Sequence, residues 1–209
     1  MQLRSYQIKA ITDLRDSFQI KGKKSPLLVM PTGSGKTVVF AQISKELAKN
    51  NHKVLILVHR KELIDQASKK LKAIKVRHGI IAAKYKPTKS KIQIASVQTL
   101  VRRLKNKLFE PSWIIIDEAH HAAAGSWQKI ISTFNNAYKI GCTATPIRLD
   151  GKGLADYFDD LVYGPSIQKL TKEKYLAPYR VFAPPLKLDL NKVKTLAGDY
   201  QKKDLEKQI

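Results

Sequence analysis

Along most of the chain, short apolar runs alternate with longer segments in which apolar residues return every three or four positions. The runs "SPLLVM" (25–30), "KVLILV" (53–58), "KIQIAS" (91–96), "SWIIID" (112–117) and "YKIGCTA" (138–144) are the strand candidates. The uninterrupted apolar character of "KVLILV" and "WIIID" suits strands buried on both faces. Between them lie "KTVVFAQISKELAKN" (36–50) and "RKELIDQASKKLKAI" (60–74), where Leu63, Ala67, Leu71 and Ile74 fall on one helical face at spacings of four, four and three. "MQLRSYQIKAITDLRDSF" at the start alternates charge with apolar positions at the same spacing. The pattern predicts crossover units that build a mainly parallel α/β sheet flanked by helices on both faces.

After about Tyr179 the texture changes. "APPLKLDLNKVKTLAGDYQKKDLEKQI" holds a Pro pair, few apolar clusters and many charges, and reads as a connector over 181–209 following a folded unit over 1–180. Earlier, "KYKPTKSK" (84–91) reads as an exposed basic loop. With 209 residues, 43% of them hydrophobic, the chain is long enough to bury a core of its own. Cys142 is the sole cysteine, which excludes an internal disulfide and a cysteine zinc framework and fits a reducing, cytoplasmic setting. The first segment lacks the continuous apolar core of a signal peptide, and no apolar run approaches the ~18 residues of a membrane helix.

A formal charge of +22 points to a polyanionic partner, most simply nucleic acid. Between Gln66 and Phe109 there are thirteen Lys or Arg and no Asp or Glu. That block predicts a basic face.

Chemistry concentrates at three places. In "MPTGSGKT" (Met30–Thr37) a predicted strand hands over to a predicted helix, the placement a phosphate-binding loop needs. Gly33 and Gly35 allow the backbone N–H groups to converge on one anion, Lys36 can reach β- and γ-phosphates, and the Thr37 hydroxyl can ligate Mg²⁺. Met30 stands where the strict motif has Gly, so the match is to its looser form. "WIIIDEAHHA" (113–122) then explains itself: a buried strand carries Asp117 to the edge where the phosphate loop also lies. Asp117 would hold Mg²⁺ through its water shell, and Glu118 would take a proton from an attacking water. His120 is placed to sense phosphate occupancy and bond a neighbouring segment, and His121 reads as a helix-entry residue. "GCTATP" (141–146) ends another apolar run and offers Thr143 and Thr145, with Cys142 as a small buried residue.

"PTGSGKT", "DEAHH" and "TATP", in that order and on strand ends, resemble the motifs of superfamily-two helicases and translocases of the DEAH type. "LRSYQ" looks like the family's adenine-recognition element, with Arg4 and Gln7 as the matching positions. "ILVHRKELIDQ" and "IASVQTL" look like the segments that contact the nucleic-acid backbone, through Arg60, Gln98 and Thr99. The texture is most similar to RadD-like DNA repair helicases, with type III restriction translocase subunits as a neighbouring match. The resemblance implies a RecA-like ATP-binding motor domain over 1–180, in which Pro31, Thr32, Gly33, Ser34, Gly35, Lys36 and Thr37 hold nucleotide. It further implies that Lys36, Asp117, Glu118 and His120 serve catalysis, that Thr37 and Asp117 serve the metal, and that Thr143 and Thr145 couple hydrolysis to strand movement.

In the family a second RecA-like domain completes the ATP cleft and carries an arginine finger, which neither Arg148 nor Arg180 matches. The implied function is ATP- and Mg²⁺-dependent movement on nucleic acid, with DNA indicated by the family texture, and weak turnover by this chain alone. An RNA helicase, a type III restriction translocase subunit, a small-molecule P-loop phosphotransferase and a purely electrostatic binding module remain as alternatives.

Overall fold

The computed structural model describes residues 2–86, 88–106, 109–146 and 153–180, together with the backbone of 195–196 and 199–200. The chain runs α1 (Ser5–Gln19), β1 (Pro26–Val29), α2 (Lys36–Lys49), β2 (Val54–Val58), α3 (Lys61–Ala73), β3 (Gly79–Ile81), β4 (Ile92–Ser96) and α4 (Val97–Arg103). It continues through β5 (Trp113–Asp117), α5 (Gly125–Thr133), β6 (Tyr138–Thr143), β7 (Asp160–Tyr163) and α6 (Ile167–Lys172). Seven strands form one sheet in the order β3-β4-β2-β5-β6-β1-β7, every pairing parallel. The predicted fold class is the observed one. Within the connector, Thr195–Leu196 and Asp199–Tyr200 pair antiparallel as β8 and β9; the rest of 181–209 lies outside the described residues.

The buried strands are mostly apolar because both faces of the sheet are covered. Along β2, Val54, Ile56 and Val58 face a core with Ala10 and Leu14 of α1, Phe40 of α2 and Leu71 of α3. Leu55 and Leu57 face the opposite layer, packed with Leu100 of α4 and Trp127 and Ile130 of α5. A one-residue register slip would exchange the two sets. Burying each of these side chains contributes about 1.5–3 kcal/mol, which overrides the weak helix propensity of "KTVVF" in α2.

The sequence pattern gave no range for β3, β7, α4, α5 or α6. β3 has only three residues, and β7 alternates buried Val162 with exposed Leu161 and Tyr163, as an edge strand with one solvated face does. α4 and α5 are short, and their buried faces offer two positions each. β7 is secured from outside the sheet, because Ser17 Oγ and Lys21 Nζ both donate to Asp160 Oδ2 at 2.8 Å. The ends of α2 and α3 are closed by residues in the left-handed region, Asn51 (φ 66°) and Lys75 (φ 57°), whose N–H groups bond back to Ala48 and Lys72.

Candidate active site

Parallel strands bring their carboxyl ends to one edge of the sheet, and the three motif segments leave from that edge. β1 ends at Val29 and β5 at Asp117, with β6 between them. The register sets Leu28 beside Cys142 and Cys142 beside Asp117. At about 4.8 Å per strand, the phosphate loop and the acidic pair start about 10 Å apart, separated only by the small side chain of Cys142. The Cys142 thiol is fully buried and held well above its ordinary range, first by burial and then by the nearby Asp117 charge, so it is a neutral filler.

The phosphate loop takes its shape from two glycines in the left-handed region, Gly33 (φ 79°) and Gly35 (φ 88°). Gly35 is the N-cap of α2, and a Cβ there would lie 2.5 Å from Gln7 Nε2. Ser34 turns inward, its Oγ donating to the Pro31 carbonyl at 2.6 Å. Thr32 remains exposed and Thr37 is half-buried in the first turn of α2. Lys36 is only 8% exposed, and its Nζ donates to the Met30 carbonyl at 3.2 Å.

The first helix braces this loop. Tyr6 Oη and Gln7 Nε2 both donate to the Ser34 carbonyl, at 2.8 and 3.1 Å. Gln7 Oε1 in turn accepts from the Arg4 N–H at 3.0 Å. The Arg4 guanidinium donates to Tyr6 Oη and lies 4.9 Å from the Tyr175 ring centre, a cation–π distance. Arg4 and Gln7 thus meet at the loop, while Tyr6 and Tyr175 are contributors that the sequence reading missed. Tyr6 had a signal in its place beside Gln7; Tyr175 had none, since only tertiary folding brings it near.

Across β6, Asp117 is 5% exposed and its carboxyl is pushed up to about 6. Burial is the main cause, the neighbouring Glu118 adds to it, and Lys36 works against it. Asp117 Oδ1 accepts the Glu118 N–H at 3.1 Å. Glu118 itself holds a left-handed backbone (φ 53°), a cost of about 1 kcal/mol or more for a residue with a Cβ. His120 Nδ1 lies 3.4 Å from Glu118 Oε2 and 3.2 Å from Thr143 Oγ1. Thr143 Oγ1 also donates to the Thr145 carbonyl at 2.9 Å. One chain of contacts therefore joins the acidic pair to the turn after β6.

His121 lies in a 3₁₀ turn (Ala119–His121) that precedes α5 rather than at the helix entry itself. Its ring packs on His59 at 4.7 Å and His120 at 4.2 Å, and burial, then the neighbouring His120, lowers it to about 4. His59, another residue missed in the sequence, has a buried Nδ1 without a partner. Among the described residues, no group of three or more His, Cys, Asp or Glu could hold a metal by itself.

Arg60, Gln98 and Thr99 lie beyond the carboxyl ends of β2 and β4. Arg60 is exposed at the N-cap of α3 without a side-chain capping bond, and Gln98 and Thr99 occupy the first turn of α4. Arg148 lies outside the described residues, and Arg180 is exposed. The basic block needs correction as a single face over this zone. Lys75, Arg77, Lys89 and Lys91 gather at the amino ends of the strands, the far end of the sheet from Arg60.

The arrangement suits magnesium–triphosphate. A buried lysine satisfied by one carbonyl can exchange that acceptor for a phosphate oxygen, and a buried carboxylate with so raised a pKa lacks the positive charge that a divalent cation provides.

Known proteins resemble this chain in sequence and share its fold. Residues 1–148 match the family described as "Type III restriction enzyme, res subunit". The chain is 32% identical over 205 residues to the type I restriction enzyme EcoAI endonuclease subunit of Escherichia coli, a match covering 90% of this chain and 25% of that one. It is 31% identical over 186 residues to the DNA 3'-5' translocase XPB2 of Sulfurisphaera tokodaii, covering 87% and 39%. Among solved structures, the UvsW helicase of bacteriophage T4 shares the fold with a TM-score of 0.64 at 21% identity, over 78% of this chain and 60% of that one. The chain spans between 25% and 39% of the length of these two curated relatives.

Proposed function

Because the chain belongs to the type III restriction enzyme res-subunit family of superfamily-two motors, we propose that it is the ATP-binding motor domain of a DNA helicase or translocase. The observation that carries this reading is the meeting of the phosphate loop and the acidic pair across β6, with Lys36 close enough to act on the Asp117 carboxyl. A solvated strand tip would need neither a buried lysine nor a buried carboxylate.

Bound magnesium–ATP supplies an electrophilic γ-phosphorus whose oxygens the metal partly neutralises. The chain's own groups do the rest. The N–H groups from Gly33 to Thr37 bind phosphate oxygens, and Lys36 Nζ leaves the Met30 carbonyl to hold another. Pro31, Thr32 and Ser34 shape that cradle. The Thr37 hydroxyl and Asp117 are the residues that would hold the metal. Arg4 and Gln7 flank the loop where a base would rest, Arg4 held by Tyr6 and Tyr175 and Gln7 by the Ser34 carbonyl. Glu118 accepts a proton from water at a carboxylate oxygen, oriented by its left-handed backbone and by His120. His120 passes any change at Glu118 to Thr143, and thence to Thr145.

Arg60, Gln98 and Thr99 contact the nucleic-acid backbone, so recognition is largely independent of sequence. A second RecA-like domain, reached through 181–209, supplies the remaining charge stabilisation, and the fragment alone turns over slowly. The reading places the protein in the reducing cytoplasm, in keeping with the neutral Cys142 thiol. No helix among the described residues is long and apolar enough to cross a membrane.

The test is an ATPase assay on a chain that includes the second domain, with single-stranded DNA, duplex DNA and RNA in parallel. DNA stimulates turnover; indifference to every nucleic acid would favour a small-molecule phosphotransferase instead. In the same chain Glu118→Gln retains nucleotide binding and loses about 10²-fold or more in turnover. Unchanged hydrolysis by that variant would remove Glu118 from the base role.

A further inference from the structure

At the end of the sheet opposite the phosphate loop, the fold builds a second concave site that the motor chemistry does not use. A cavity of about 530 Å³ opens between the last turn of α2, the turn after α3 and the segment entering β4. Lys45, Lys49, Lys75, Arg77, Lys89 and Lys91 line it, and its other walls are uncharged. Among the described residues, none of the six takes part in an ion pair.

Part of this charge has an ordinary use. Lys45 and Lys49 lie in the closing turns of α2 and Lys75 just beyond α3, where a cation offsets the helix dipole by about 0.3–1 kcal/mol. Arg77, Lys89 and Lys91 belong to no helix, so that account fails for them. Lys75 moreover holds a left-handed backbone at a closing position where Gly is the usual residue. A side chain is present there despite a cost of about 1 kcal/mol or more.

The charge count identifies the ligand class. A single phosphate group brings at most about two negative charges, too few to match the six cations that line the cavity. The field also extends outward, through exposed Lys69, Lys70 and Lys72 in the closing half of α3. An extended row of cations around a cavity matches a linear polymer carrying a phosphate at every residue.

We propose that this cationic floor is a second nucleic-acid site, which binds successive backbone phosphates at the amino ends of β2, β3 and β4. It is distinct from the Arg60, Gln98 and Thr99 zone, which lies one strand length away, about 16 Å along β2 and β4. Two sites at opposite ends of one sheet allow the domain to hold two segments of nucleic acid, one at the motor edge and one behind it. The floor holds by phosphate charge, so it is indifferent to base sequence and sensitive to salt.

Anisotropy of a labelled DNA 20-mer, measured on the full chain across a salt series, tests the proposal. Changing Lys75, Arg77, Lys89 and Lys91 together to Gln is expected to weaken binding about tenfold or more at low salt. The slope of log affinity against log salt should become shallower by about 3. A control changing exposed Lys24, Lys129, Lys172 and Lys174 to Gln serves as the reference, with thermal melts of both variants. A floor variant that loses no more affinity than the control overturns the proposal. So does polyglutamate that displaces the DNA as well as unlabelled DNA of equal charge, because the partner would then be an acidic protein. Photo-crosslinking of the unaltered chain to bromodeoxyuridine-bearing DNA does not depend on any variant folding. Adducts at residues 75–77 or 89–91 support the site, and adducts confined to the neighbourhood of Arg60 and Thr99 sink it.

Discussion

Asp117 carries the most testable chemistry of any single residue here. Its carboxyl ionises near its ordinary value of 3.8 when the chain is unfolded and at about 6 when folded. The folded state therefore holds the extra proton between those values, and stability falls as pH rises through that window. The difference is worth roughly 3 kcal/mol at neutral pH. Asp117→Asn is accordingly expected to melt several degrees above the unaltered chain at pH 7.5 without metal, with the gap closing near pH 4. Equal melting temperatures at both pH values would mean that the buried charge is already compensated. At this scale the sequence was highly legible, because Gly, Lys and paired carboxylates at strand ends have few other uses. Tyr6, Tyr175 and His59 were not, since an aromatic ring near a loop becomes informative only once its partner is known.

Among the elements, β6 is the one on which the site turns. It separates the two halves of the chemistry, and it does so with the smallest side chains available, Gly141 and Cys142. A Cβ at Gly141 would lie 2.5 Å from Phe158 Cε1 and 2.7 Å from Leu27 Cδ1, both in the buried layer beneath the strand. Gly141→Ala is expected to cost about 1–3 kcal/mol through overpacking, read as a lower thermal midpoint. It should also weaken nucleotide affinity, because β1 pairs directly with the displaced strand; an unchanged midpoint would show that Phe158 moves aside freely. The five long strands were readable from uninterrupted apolar runs. β3 and β7 were not, because three residues define no period and an exposed edge carries half the signal.

For the molecule as a whole, composition pointed toward a polyanion partner but not to the geography of the charge. Thirteen cations in one stretch of sequence looked like one surface, yet a chain that crosses the sheet repeatedly deals its charges to both ends. Sequence adjacency is a poor guide wherever each crossover reverses the direction of travel. The strand order has a further result for synthesis. β1 is paired on one side with β6 and on the other with β7, so the strand made first finds its neighbours among those made last. A nascent chain halted after α5 would have β2, β4 and β5 able to pair, while the glycine turn hung from an unpaired strand. Such a truncated product is expected to show no ATP-dependent protection from proteolysis, whereas release after β7 restores it. Emergence from the ribosome thereby becomes a timer: nucleotide can be captured only when nearly the whole domain has been translated.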